Sequence, residues 1–448
     1  MLLLFCVAKT GAQNIQIRNT PEGYYEGAVI RGNSVALLTA EFFKEKDTLF
    51  VESNIKEWTY YPPLRSKVEV EGIVLTFQTY YGETRVVFDT IYTEMVGTVR
   101  TASPAYQVHL KKVRRPPAPS LQIQDLTVDV GDIKLKAKLV LPDGYDRPVP
   151  RVIFVRGRGC GGRNFQLEKA KVLASYGMAA LTFDKRGAEG TGFDCDQTTI
   201  DMHTNDLVKV IEKVADHEAV DADKIGLIGG SYGGWVAPRA AARCDQEVAF
   251  IVSIVGPATS VQQQQLDNAV YYTKDRLGGD TAIIRQIQEY TLLEYEEGND
   301  EQTFQKMQIL LEEADKNGWK SILAKSDIPE SAADLKNLWV RRNRYDPAAD
   351  LKAFQGPFLS SLGEKDRVVP WKENAEKFEA LFSAVGKSNY RVVVIPGAPH
   401  WMEHSDMVRD FGRVRALRST NFYFKFDRVV PGAMDEIVVF LRDYDFLP

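Results

Sequence analysis

From residue 13 to about 117, apolar and polar positions alternate in short runs, among them SVALLTAEF, TLFVES, KVEVEGIVLTFQTYY, TRVVFDTIY and AYQVHLKKV. Gly, Asp and Pro turn signals separate them. A period of two puts every second side chain on one face, the signature of half-buried antiparallel strands. No helix-period stretch of useful length interrupts these runs. A small closed barrel or sandwich is therefore the expected way to remove the exposed sheet edges.

Past a PPAPS linker the pattern changes. Continuous apolar runs, RVIFVRG from 151, MAALTFD from 178, KIGLIGG from 224, VAFIVSIVG from 248, PFLSSLG from 357 and YRVVVIPG from 390, alternate with helical segments. Strands apolar on both faces and separated by helices predict a mostly parallel sheet flanked by helices. LQIQDLTVDVGDIKLKAKLVLPDG at 121–144 reads as an antiparallel hairpin at the edge of that sheet.

Between Gly256 and Pro357 lie about a hundred residues, far more than a crossover needs. Ile283, Ile287 and Tyr290, then Phe304, Met307, Leu311 and Ala314, recur there at helical spacing. This predicts a helical insertion over about 258–352, either a cap over the strand ends or a merely stabilising addition. The expected organisation is a leader at 1–12, an antiparallel β domain at 13–117 and an α/β domain at 118–448.

Composition supports a folded chain of two units: 448 residues exceed one ordinary core, and 44% are hydrophobic against 26% charged. A net charge of −5 offers no general attraction to nucleic acid. The basic run KKVRRP at 111–116 reads as a solvated linker. The start, MLLLFCVAKTGAQN, runs apolar from Leu2 to Ala8 and then through small residues, the shape of a secretory signal ending near Ala12. It predicts export to the periplasm or medium; the competing reading is a buried N-terminal strand in a cytoplasmic protein. No later stretch approaches the roughly 20 apolar residues that span a bilayer, so no stable membrane insertion is expected.

The chemistry concentrates in IGLIGGSYGGW at 225–235, where an apolar strand meets Gly229-Gly230-Ser231-Tyr232-Gly233 and a helix-forming run follows. Strand, sharp turn and helix are the context of a nucleophile elbow, which makes Ser231 the candidate nucleophile. A serine hydroxyl needs a histidine base steadied by a carboxylate. Of five histidines, His109 falls in the β domain, and His203 and His217 end a helical segment. His400, three residues beyond Gly397 after YRVVVIPG, is preferred to His404 in the polar EHSD stretch. Asp366 in SLGEKDRVVP is the candidate acid, with Glu364 as runner-up, since both follow a strand between nucleophile and base.

Oxyanion stabilisation calls for two backbone N–H groups; Tyr232, next to the nucleophile, and Arg158 in VRGRGCGGRN are the candidates, with Gly159 next. The glycines of that loop lack the Walker spacing. Cys160 and Cys195 follow successive strands and are either a disulfide or two free thiols. Neither has zinc-site spacing, so no metal and no cofactor are expected.

FDKRGAEGTG at 183–192, IGLIGGSYGGW, SLGEKDRVVP and PGAPHW resemble, in order and position, bacterial alpha/beta-hydrolase esterases over 118–448. The segment from GYYEG at 23–27 to VHLKKVRRP at 108–116 resembles the lipocalin-like β domain that precedes the hydrolase in a group of exported bacterial esterases. The resemblance implies an alpha/beta-hydrolase fold, with a cap and an N-terminal lipocalin-like barrel. It also implies hydrolysis of a small-molecule carboxylic ester through an acyl-enzyme, with Ser231, Asp366 and His400 at the family's catalytic positions. Two departures stand out. Arg156-Gly157 replaces the His-Gly or Ser-Gly of many relatives, and Tyr232-Gly233-Gly234 is similar to prolyl-oligopeptidase-type peptidases. A serine peptidase of that type and a non-catalytic binding protein on the same fold are the competing readings.

Overall fold

The computed structural model describes residues 20–31, 34–55, 63–79, 82–91, 93–100, 105–115, 121–145, 148–188, 190–323, 325–400, 402 and 435–447. The leader at 1–12 and His404 lie outside them. The chain divides into two compact units, one before and one after the PPAPS segment.

The first unit contains β1 (Gly23–Arg31), β2 (Ser34–Glu45), β3 (Thr48–Ile55), β4 (Leu64–Lys67), β5 (Glu69–Glu71), β6 (Val74–Thr79), β7 (Gly82–Asp89), β8 (Glu94–Arg100) and β9 (Tyr106–Lys112). All pair antiparallel as an up-and-down meander, and β9 returns to β1. Closure at the other end comes from one stretch of chain changing partner. Leu64–Lys67 pairs with β3, Val68 still donates its N–H to Leu49, and Glu69–Glu71 pairs with β6. The Ser66 hydroxyl binds both backbone groups of Gln78 across that junction. The result is a closed antiparallel β-barrel without a free edge of the kind that recruits foreign strands. Alternation along β7 and β9 sends Thr84, Val86, Phe88, Tyr106, Val108 and Leu110 inward. Tyr25, Phe42 and Phe77 meet edge to face in the interior, with centroids 5.4 and 5.2 Å apart.

The second unit is an eight-stranded sheet in the order β10-β11-β13-β12-β14-β15-β16-β17. Its strands are β10 (Leu121–Asp129), β11 (Lys134–Pro142), β12 (Val149–Val155), β13 (Ala179–Phe183), β14 (Val220–Gly230), β15 (Phe250–Ile254), β16 (Phe358–Gly363) and β17 (Tyr390–Ile395). The β10–β11 hairpin is antiparallel at one edge, and from β13 onward the pairs are parallel. Helices α1 (Leu167–Ser175), α2 (Ile200–Ala215), α3 (Gly233–Arg243), α9 (Trp371–Ser383) and α10 (Asp435–Asp443) flank it. Ile153 and Val155 join the core under α2, α3 and α9, while Val152 and Phe154 join the core under α1 and α10. That opposite alternation along β12 is why these strands read as unbroken apolar runs.

Between β15 and β16 the chain forms α4 (Val261–Leu277), α5 (Thr281–Leu293), α6 (Asp300–Asn317), α7 (Trp339–Arg342) and α8 (Ala348–Ala353). Ser260 accepts the Gln263 N–H to start α4, and Gly278, at φ 74°, ends it. Strand order reverses about β12, which has β13 on one side and β14 on the other. In open α/β sheets the crevice at the C-terminal ends of such strands is where ligands bind. Among the described residues no helix is long and apolar enough to cross a membrane.

Candidate active site

Ser231 stands at the end of β14 with φ 51°, a left-handed conformation that costs a non-glycine residue roughly 1–3 kcal/mol. Its N–H donates to Ile254 at 2.8 Å, and its carbonyl accepts from Gly234 at 2.7 Å. The glycines on either side have a steric reason. A Cβ on Gly229 would lie 2.4 Å from the Gly233 carbonyl oxygen, and one on Gly233 would lie 2.5 Å from that of Val155. Strand and helix can approach this closely only without side chains, and the approach turns Ser231 outward.

His400 Nε2 lies 2.9 Å from Ser231 Oγ, and His400 Nδ1 lies 2.8 Å from Asp366 Oδ2. Asp366 Oδ1 accepts the N–H groups of Val368 and Val369 at 2.8 and 2.9 Å. A carboxylate has nothing to donate, so the hydrogen on His400 belongs on Nδ1 and Nε2 faces the serine as an acceptor. Both His400 and Asp366 are buried. The structure thus brings together Ser231, Asp366 and His400 from the ends of β14, β16 and β17. Glu364, the alternative acid, is exposed and accepts the Gly397 N–H at 2.8 Å, bracing the turn that leads to His400.

The loop after β12 runs beside the serine: a Cβ on Gly157 would sit 3.5 Å from Ser231 Cβ. Cys160 in this loop is disulfide-bonded to Cys195. Tyr232 is the N-cap residue of α3, and the first N–H groups at a helix start have no acceptor within it. Arg158 lies over the face of Trp339, its Cζ 4.3 Å from the ring centroid. Together with Ser231, Tyr232 and Trp235 it lines a cavity of about 130 Å³. Gln264, Gln265 and Asn268 of α4 and Trp339 of α7 complete the wall from the insertion. Gln264 and Asn268 donate to the Val368 carbonyl, which ties α4 to the loop carrying Asp366.

Behind the serine is a second set of polar groups for which the chain gave little signal. Lys185, buried, donates to the Gly157 carbonyl at 2.9 Å and sits 4.3 Å from the Tyr232 ring centroid. Burial, reinforced by Arg156 and Arg158, pushes its ammonium down to about 7. His203 Nδ1 lies 2.8 Å from the Tyr232 hydroxyl, and burial followed by the Lys185 charge holds that imidazole well below its usual range. Lys185 stands two residues past β13 in FDKRGAEGTG, where its position at a strand end was the available clue. His203 had none, because α2 is carried to Tyr232 by tertiary packing.

A family model described as alpha/beta hydrolase fold matches residues 150–404, more than half of the sequence. The chain belongs to the alpha/beta-hydrolase fold family. Over 275 residues this hydrolase-fold protein is 27% identical to an uncharacterised 31.7 kDa protein of the traX-finO intergenic region of Escherichia coli, covering 61% of this chain and 90% of the relative. It is 32% identical over 127 residues to dipeptidyl aminopeptidase BIII of Pseudoxanthomonas mexicana, covering 25% of this chain and 17% of that protein. Among solved structures it is similar to a hyperthermophilic esterase of Pyrobaculum calidifontis, at 18% identity and TM-score 0.43, over 72% of this chain and 84% of the other.

Proposed function

We propose that this protein is a serine hydrolase that cleaves small-molecule carboxylic esters through an acyl-enzyme on Ser231. The observation that supports this most is the unbroken hydrogen-bond relay from Asp366 through His400 to Ser231, opening on a cavity. In this reading His400 Nε2 takes the hydroxyl proton as Ser231 Oγ attacks the acyl carbonyl, and Asp366 steadies the imidazolium. The N–H groups of Tyr232 and Arg158 receive the developing oxyanion. Collapse expels the alcohol, protonated by His400, and water repeats the sequence to release the acid.

A peptidase of the prolyl-oligopeptidase type is the second reading. It is favoured by Tyr232-Gly233-Gly234 and by the match to a dipeptidyl aminopeptidase. Those enzymes carry a large N-terminal propeller, whereas the first unit here is a single barrel. The Cys160–Cys195 disulfide supports an oxidising compartment and, with it, export by the leader at 1–12. Side-by-side assays decide between the chemistries. Wild type should turn over p-nitrophenyl acyl esters faster than Gly-Pro or aminoacyl naphthylamides, and Ser231→Ala should turn over neither. The opposite preference makes it a peptidase. Turnover of neither substrate, together with no fluorophosphonate labelling of Ser231, favours the non-catalytic binding protein.

A further inference from the structure

A buried lysine normally meets a carboxylate, because an ammonium removed from water without a partner is costly. Among the described residues Lys185 has no such partner. Asp184 beside it is committed to Arg163, and Asp206 to Arg186. Among the described residues the charged and titratable groups about it are Arg156 and Arg158 on the loop after β12, Arg186 on its own loop, His203 and the Arg186-paired Asp206 on α2, and Tyr232 before α3. The surroundings are net basic, and among the described residues the ammonium meets the Gly157 carbonyl and the Tyr232 ring.

Gly157 lies against Ser231, and Tyr232 follows Ser231 in the chain. In a planar trans peptide the carbonyl of one residue and the N–H of the next point in opposite directions. Fixing the Gly157 carbonyl therefore fixes where the Arg158 N–H points. A donor on the carbonyl also polarises the amide and makes its N–H a stronger donor. At the other donor, the ammonium over the Tyr232 ring and His203 at its hydroxyl hold the N-cap residue of α3. Resting on the serine-hydrolase reading above, we propose that Lys185 is a positioning residue that aligns both oxyanion donors, turning the Arg158 N–H toward Ser231 and fixing Tyr232, and that its charge tunes them.

The consequence is a pH dependence of a particular sign. Hydrolysis falls at alkaline pH as Lys185 loses its proton around neutrality, where burial has moved it. The test is the pH profile of kcat for p-nitrophenyl acetate in wild type, Lys185→Arg and Lys185→Met, with melting curves for each. Wild type should show an alkaline descent. Lys185→Arg, charged at every pH used, should keep the rate at pH 6 within several-fold and lose the alkaline descent. Lys185→Met should lose roughly ten- to a hundredfold in kcat with KM little changed, as expected for donors that act on the transition state.

A wild-type profile with no alkaline limb overturns the proposal without any variant. So does a Lys185→Arg profile that keeps that limb, or a folded Lys185→Met protein of unchanged kcat. In each of these cases wild-type ester turnover leaves the hydrolase reading intact. A wild type without ester turnover overturns both.

Discussion

The two units place polar groups and strained backbone very differently. Among the described residues of the barrel, the non-glycine residues of positive φ are Lys46 and Thr93, both in hairpin turns, and the buried polar side chains are Ser53, Thr79 and Thr84. In the α/β unit Ser231, Val255 and Met402 take up positive φ beside the C-terminal strand ends, and Lys185, Arg186, His203, Asp206, Asp366 and His400 are all buried. The second unit desolvates charge repeatedly, and part of it, Lys185, His203, Asp366 and His400, lies about Ser231 and Tyr232; strain and perturbed ionisation often gather at sites of chemistry.

The contrast can be broken at several places. The largest expected effect is on catalysis: Ser231→Ala or His400→Ala should lower kcat for an ester by roughly four to six orders of magnitude, and the double variant no further. Asp366→Asn should cost about 10⁴ through the wrong imidazole tautomer. Additive losses measured in steady-state assays would break the relay into independent parts.

Next is Asp206→Ala. It leaves Arg186 with one of its two carboxylate partners gone inside the fold, a loss of about 3 kcal/mol in denaturant unfolding.

Glu294, at the end of α5, sharpens the point from the other direction. Burial, then the nearby Asp327, push its carboxyl well above the usual range. The folded state keeps the acid form while the unfolded chain ionises near pH 4.5, so stability is complete below that value. It falls as pH rises until the folded group ionises too. Glu294→Gln should therefore raise stability by about 1–2 kcal/mol at pH 7 and leave it unchanged at pH 4. A gain of equal size at both pH values would remove ionisation as the cause. The smallest effect belongs to the barrel: Tyr25, whose buried hydroxyl meets no partner among the described residues, should tolerate Tyr25→Phe within about 1 kcal/mol.

Much of this was readable from the chain because it is local. Period-two alternation fixes which barrel side chains face inward, and continuous apolar runs mark strands covered on both faces. The pattern Gly229-Gly230-Ser231-Tyr232-Gly233 carries its own steric logic, and the chain order of a serine, an acid and a histidine after successive strands nominates the three residues that the structure joins by hydrogen bonds. Long-range pairing was not readable. Nothing in Leu64–Glu71 announces that the strand changes partner at Val68 to close the barrel. Cys160 and Cys195 left open whether they pair. Lys185 and His203 reach Tyr232 from separate elements, so no spacing along the chain could foretell their convergence.

The central claim is that Ser231 is nucleophilic because His400 and Asp366 make it so. Its most direct test is treatment of the whole protein with a fluorophosphonate, followed by mass spectrometry of the peptides. One adduct is expected, on Ser231, absent in Ser231→Ala and greatly slowed in His400→Ala. No adduct on folded wild type, or an adduct on another residue that survives Ser231→Ala, contradicts it.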